Sequence, residues 1–217
     1  MAQSYLHFCP VARSLEKIGD KWALLIIRDL LHGPQRFTDL LHYLNNITPK
    51  WLTRRLRDLE AAGIVARDKQ SGRREVWYQL TAAGRELGPV IEALMDWGFR
   101  WAMRPPQPGE VVHPDQMMRG LTYALNKKGR RLPCDTRWAV RFPSATYLLC
   151  YDEGRWFSRR QDDTAVGAAV TVTTTLENWA TIFSSPRSER SRLARSLRIE
   201  GDREEIDVFK NIFGIRQ

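Results

Sequence analysis

Lys50, Thr53, Arg54 and Arg57 recur at intervals of three and four, the spacing that gathers side chains on one face of an α-helix. Arginine and lysine stay protonated at neutral pH, so such a face does recognition chemistry and not proton transfer: it donates hydrogen bonds to phosphates and to guanine edges. The helix that must carry these residues is marked at both ends. Thr48 can N-cap it, Pro49 suits its first position, and Gly63 can close it in the left-handed conformation. Leu52, Leu56 and Leu59 fall together on another face and are expected to pack inward. Taken alone, a basic helix face fits a solvated surface as well as a DNA groove. Its neighbours decide between them.

Before it, Leu15 and Ile18 mark a short helix, and Asp20 can cap an apolar helix over Lys21–Leu31 that Gly33-Pro34 stops. Thr38 can cap a third helix through Leu44, and Asn45-Asn46 makes the turn into the basic one. After it, Ile64–Arg67 and Glu75–Leu80 read as strands around a polar turn that ends on Arg73 and Arg74. Helices followed by a hairpin with a basic tip make a winged helix-turn-helix. Lys50–Arg74 holds eight lysines and arginines against three acids, a local net of +5 within a chain whose net charge is +9. This concentration selects double-stranded DNA as partner, with Thr48, Lys50, Thr53, Arg54, Arg57, Arg73 and Arg74 as candidate contacts.

The motif order resembles the HxlR-type winged-helix transcription regulators. The matching blocks are Cys9-Pro10-Val11-Ala12, Gly19-Asp20-Lys21-Trp22, Arg28-Asp29-Leu30, Gly33-Pro34-Gln35-Arg36-Phe37, Ile47-Thr48-Pro49-Lys50 and Leu80-Thr81-Ala82-Ala83-Gly84, within residues 5–102. The resemblance implies a bacterial homodimer on a two-half-site operator. Some relatives sense oxidants through an N-terminal cysteine, and Cys9 stands at that position; the alternative for Cys9 is a small buried residue that steadies the first helix.

Thr81-Ala82-Ala83-Gly84 opens a further helix whose stripe of Leu87, Val90, Ile91, Leu94, Trp97 and Trp101 is too wide for one small domain to cover. A partner chain is the expected cover, and this chain's own first helix or second domain the alternative. Pro105, Pro106 and Pro108 with Gly109 interrupt both helix and strand, which places a linker over residues 105–114 between domains 1–104 and 115–217.

The second half reads as a helix over Asp115–Lys128, then strands at 137–142, 146–151, 155–158 and 166–175. Thr175 can cap a helix over Leu176–Ser184, Arg192–Leu197 reads as helical, and Asp202 with Glu205 can form a capping box for a last helix bearing Phe209 and Phe213. This element order, with Ile199-Glu200-Gly201-Asp202 before the final helix, resembles a sterol-carrier-protein-like domain. The resemblance implies an apolar tunnel for a lipid-like ligand, with Trp138, Val140, Phe142, Val170, Val172, Trp179, Phe183, Phe209 and Phe213 as candidate walls and lid. The same aromatics would equally fill a solid core.

The fold class expected is therefore α+β, an N-terminal winged helix-turn-helix followed by an α+β sterol-carrier-like domain. The four histidines and three cysteines are scattered without the spacing of a zinc site, and no phosphate loop or nucleophile elbow occurs, so neither metal, cofactor nor enzyme activity is expected. No apolar run approaches a membrane span and no signal-peptide core is visible, so a cytoplasmic location is expected, with no membrane partner. The competing function is a lipid carrier whose winged helix serves dimerisation or protein contacts.

Overall fold

Ile26, Ile27 and Leu30 share the inward side of one short helix, and burying that side against neighbours from both directions in sequence is what assembles the first half of the chain. The computed structural model describes residues 4–68, 75–161 and 167–215. The chain divides into two compact units, Met1–Ala102 and Met103–Gln217. Among the described residues no helix is long and apolar enough to cross a membrane.

Unit 1 runs α1 (Pro10–Ile18), α2 (Ala23–Leu30), β1 (Gln35–Arg36), α3 (Phe37–Tyr43), α4 (Pro49–Ala61), β2 (Val65–Asp68), β3 (Trp77–Leu80), α5 (Ala82–Arg85) and α6 (Gly88–Trp101). This is a winged helix-turn-helix. The three strands form an antiparallel sheet in the order β1-β3-β2. The short β1 was not legible as a strand: its two residues, Gln35 and Arg36, are held by pairing with Tyr78 and Trp77 and not by any local pattern.

Three expectations need correction here. Asp20 does not cap α2 itself; its carboxylate accepts the Trp22 N–H at 2.9 Å in the turn ahead, and the helix begins at Ala23. Arg36, not Thr38, occupies the N-cap of α3, because the Asp39 carboxylate reaches back to accept the Arg36 N–H at 3.0 Å. The helix expected to run from Thr81 to Trp101 is two helices: Pro89 has no N–H for the carbonyl of Arg85, so the helical hydrogen-bond pattern cannot continue through it.

Unit 2 opens with α7 (Pro114–Lys127) and continues with β4 (Thr136–Phe142), β5 (Ala145–Asp152), β6 (Arg155–Gln161), β7 (Val170–Thr173), α8 (Leu176–Ser184), α9 (Arg187–Leu193), a single 3₁₀ turn, β8 (Arg198–Gly201) and α10 (Arg203–Phe213). The sheet has the order β6-β5-β4-β7-β8, with β4 and β7 parallel and the other pairs antiparallel. One face packs on α7, α8 and α10. The mixed α/β class is as expected, but there are five strands and not four, since Arg198–Gly201 pairs along the length of β7. Helix α9 starts at Arg187, five residues before the expected start. The expected capping box of α10 is half formed: Asp202 accepts the N–H groups of Glu204 and Glu205 at 2.9 and 3.1 Å, while the Glu205 carboxylate turns away to accept from Trp138 Nε1 and Thr136 Oγ1.

Candidate nucleic-acid interface

Helix α4 is fixed in place before its outer face comes into question. Thr48 Oγ1 accepts the Trp51 N–H at 3.3 Å, Pro49 fills the first position, and Gly63 adopts φ +71°. The N–H groups of Gly63 and Ile64 then bond back to Glu60 and Leu59 at 2.9 and 3.0 Å, the paired closure of a helix that ends on glycine. Leu52, Leu56 and Leu59 are fully buried. Burying such side chains contributes about 1.5–3 kcal/mol each and holds the opposite face outward.

On that outer face Lys50, Arg54 and Arg57 are exposed, and among the described residues none forms an ion pair. Thr53 behaves differently from expectation, because its hydroxyl donates to the Pro49 carbonyl at 2.8 Å and keeps only acceptor capacity for a ligand. Arg55, never among the expected contacts, pairs with Asp58 at 3.2 Å and Asp20 at 3.6 Å, tying α4 to the turn before α2.

Sequence reasoning missed Trp51. Its ring is 48% exposed on the same helix, and the Arg54 guanidinium lies over it at 5.4 Å. The signal was present, since Trp51 stands next to the leucine stripe and not in it.

The wing rises from β2 and β3. Arg36 stacks over Trp77 at 4.7 Å and pairs with Glu75 at 2.9 Å, which fastens β1 to the returning strand. Thr81 joins wing and α4: its hydroxyl donates to the Gly63 carbonyl at 2.7 Å and accepts the Gly84 N–H at 3.1 Å. Burial holds the Tyr78 phenol above its ordinary pKa, with Arg67 opposing, Glu60 reinforcing and Arg57 opposing, so it stays neutral wherever DNA binding is measured. Arg73 and Arg74 lie outside the described residues.

A second surface of unit 1 is apolar and open. On α6, Ile91 is buried, whereas Val90, Leu94, Trp97 and Trp101 are 41%, 48%, 61% and 70% exposed. Leu6, Phe8 and Val11, before and on α1, are exposed as well. Cys9 sits between them at the N-cap of α1, partly exposed. The preceding segment is tethered by Glu16, which accepts from Ser4 Oγ and the Tyr5 N–H at 2.8 and 2.9 Å; these bonds, Ser4 first, hold its carboxyl below the ordinary value.

The nine residues expected to line a ligand pocket lie together in unit 2. Trp138, Val140, Phe142, Val170, Val172, Trp179, Phe209 and Phe213 are buried, Phe183 is partly buried, and all nine belong to one core. Trp138–Phe209, Trp179–Phe183 and Phe183–Phe213 have ring centroids 5.2, 4.5 and 4.9 Å apart in edge-on contact. Side chains at those separations fill the space a tunnel needs. A cavity of about 440 Å³ lies instead on the far side of the sheet and is polar, bordered by Asp135, Arg137, Asp152, Arg159 and Glu205. Cys150 is buried in β5, where burial pushes its thiol up, and Cys134 is exposed. Among the described residues no group of histidine, cysteine or acid could hold a metal ion.

Residues 17–106 match the family model described as HxlR-like helix-turn-helix. The chain is 40% identical over 96 residues to an uncharacterized HTH-type transcriptional regulator of Synechocystis sp., covering 44% of this chain and 71% of that protein. It is 36% identical over 112 residues to the uncharacterized HTH-type transcriptional regulator YkvN of Bacillus subtilis, covering 50% and 95%. Among solved structures, the redox regulator HypR in its reduced form is 36% identical with a TM-score of 0.40, covering 42% of this chain and 90% of that one.

Proposed function

This chain belongs to the HxlR-like helix-turn-helix family of transcriptional regulators, and we propose that it reads double-stranded DNA through Lys50, Arg54 and Arg57 of α4, as a homodimer. The observation that carries the DNA reading is the exposure of three cations on one face of a doubly capped helix, with no acid paired to them among the described residues. Arg73 and Arg74 complete the set on sequence grounds. The homodimer reading rests on the open apolar stripe of α6, which a second copy of the same helix would cover. Two copies then present two α4 helices to half-sites about one helical turn apart. A cytoplasmic location fits this role.

The test uses an operator selected from random-sequence DNA by the unmodified protein. Fluorescence anisotropy of Arg54→Ala and Arg57→Ala on that operator should show weaker binding and relaxed base preference. Variants that bind like the unmodified protein remove α4 as the reading element.

Redox control is a second reading, favoured by one observation: Cys9 is partly exposed at the N-cap of α1, where an oxidant can reach it. Loss of operator binding on treatment with diamide, abolished in Cys9→Ser, is the expected result; an identical response in that variant dismisses Cys9. The sterol-carrier-like assignment of unit 2 remains a reading of element order. Control by an apolar ligand requires the packed core to open, and the lipid-carrier alternative shares that requirement.

A further inference from the structure

The two faces of the unit 2 sheet are unlike. On the face away from α7, α8 and α10, Ala139, Leu148 and Cys150 form a small buried cluster with Ala168, and no helix residue joins them among the described residues. Cross-strand register fixes what surrounds that cluster. Arg137 shares a row with Cys150 and Phe157, Arg159 shares the next with Leu148 and Ala139, and Arg141 stands one row further on β4.

Arg137, Arg141 and Arg159 are exposed, and among the described residues none of them forms an ion pair. Strand spacing and rise place them about 12 Å apart at Cβ. That exceeds the Debye length of about 8 Å at physiological salt, so the repulsion among the three cations is largely screened. Measured along a duplex axis, the same distance covers three to four base-pair rises of about 3.4 Å.

A merely solvated sheet face uses lysine as freely as arginine. Here every cation on β4 and β6 is arginine, the side chain whose planar fork matches phosphate oxygens. Among the described residues the acids of this face stand at its margins: Asp152 at the end of β5 opposite Arg155, and Glu200 on β8, paired with Arg198 at 2.7 Å, while Asp135 and Glu205 border the cavity beside Arg137. We propose that this open face of the unit 2 sheet is a second contact surface for the DNA phosphate backbone, gripping it through Arg137, Arg141 and Arg159 without reading sequence. The choice of DNA as the polyanion rests on the DNA-binding reading of α4.

The test uses the full chain and a duplex of unrelated sequence, with anisotropy followed across a potassium chloride series. Each lost phosphate contact shallows the slope of log affinity against log salt by about 0.9. The triple variant Arg137→Ala, Arg141→Ala, Arg159→Ala should therefore lose about 2.7 from the slope, at an unchanged melting temperature. The corresponding triple lysine variant should keep most of it. A triple alanine protein that melts normally and keeps its slope overturns the proposal, as does one that loses affinity for phosphatidylserine vesicles but not for DNA. The two readings fail separately: Arg54→Ala and Arg57→Ala on the selected operator report on α4, whatever the sheet variants do on unrelated DNA.

Discussion

Unit 1 leaves its distinctive residues outside, while unit 2 puts them inside. In the first, Trp97, Trp101 and the cations of α4 face solvent. In the second, Trp138, Trp179, Phe209 and Phe213 are all buried in one another's contacts. Both halves are rich in aromatics, so composition does not separate them; the use made of the aromatics does. A unit with apolar residues left exposed is shaped for partners, whereas a unit whose aromatics close on themselves is complete as a folded body. The contrast fits the proposed dimerisation and DNA reading by the first unit, and leaves the second to act through its surface.

The hardest test of that contrast is the apolar stripe. Leu94→Glu places a charge at the centre of the proposed seam, where burial without a partner is strongly unfavourable. Sedimentation should show monomers, and operator affinity should fall by at least about a hundredfold as one half-site contact is lost. Because Leu94 is 48% exposed in the single chain, the melting temperature of the monomer should hardly move. A dimer that survives places the seam elsewhere.

The next effect belongs to the other unit. Phe209→Ala removes a fully buried ring and should destabilise unit 2 by about 3–5 kcal/mol, as large cavities do in packed cores. Urea unfolding followed by tryptophan emission measures it. A cost under about 1 kcal/mol means the core has slack and reopens the case for an internal apolar ligand.

A smaller loss separates two neighbours on α4. Arg54→Ala should weaken operator binding by roughly 1–3 kcal/mol and leave stability alone, as expected of a base-edge contact. Arg55→Ala should do the reverse, costing up to about 1 kcal/mol of stability because its partners are Asp58 and Asp20 within the chain. Equal effects on DNA binding from both would erase the distinction between reading and bracing.

The difference between Arg54 and Arg55 also marks how far the sequence could be read. Helical period, caps and stops are local, so α4 from Thr48 to Gly63 and α8 behind Thr175 were legible almost to the residue. What was not legible depends on residues distant in sequence. Strand β1 exists only because β3 lies beside it, and Glu205 left its capping position because Trp138 Nε1 offered a donor 67 residues away. Whether the candidate pocket residues enclose a space was not legible for the same reason. An alternating strand states which side chains point inward, but not whether the facing helices arrive close enough to fill the space between.

The smallest expected effect lies where the two units meet in sequence. Arg104 forks onto Glu110 at 2.6 and 2.8 Å, and the Gln107 N–H donates to the same carboxylate at 2.8 Å, closing a turn over the proline-rich stretch. Arg104 first, and then Gln107, hold the Glu110 carboxyl down at about 2. A carboxyl lowered on folding contributes its stabilisation above the ordinary carboxylate range and loses it as pH falls through the lowered value. The turn should therefore persist through pH 4, where unpaired glutamates are half protonated, and open only as the pH approaches about 2. Carbon-detected NMR of the Glu110 carboxyl follows this directly, and Arg104→Ala should raise its midpoint toward the ordinary carboxylate range, stopping short of it while the Gln107 N–H still donates. Both groups are fully exposed, so global stability should not register the change. A midpoint already ordinary in the unmodified protein means the fork does not hold in solution, and the stretch between the units is then a loose tether and not a closed turn.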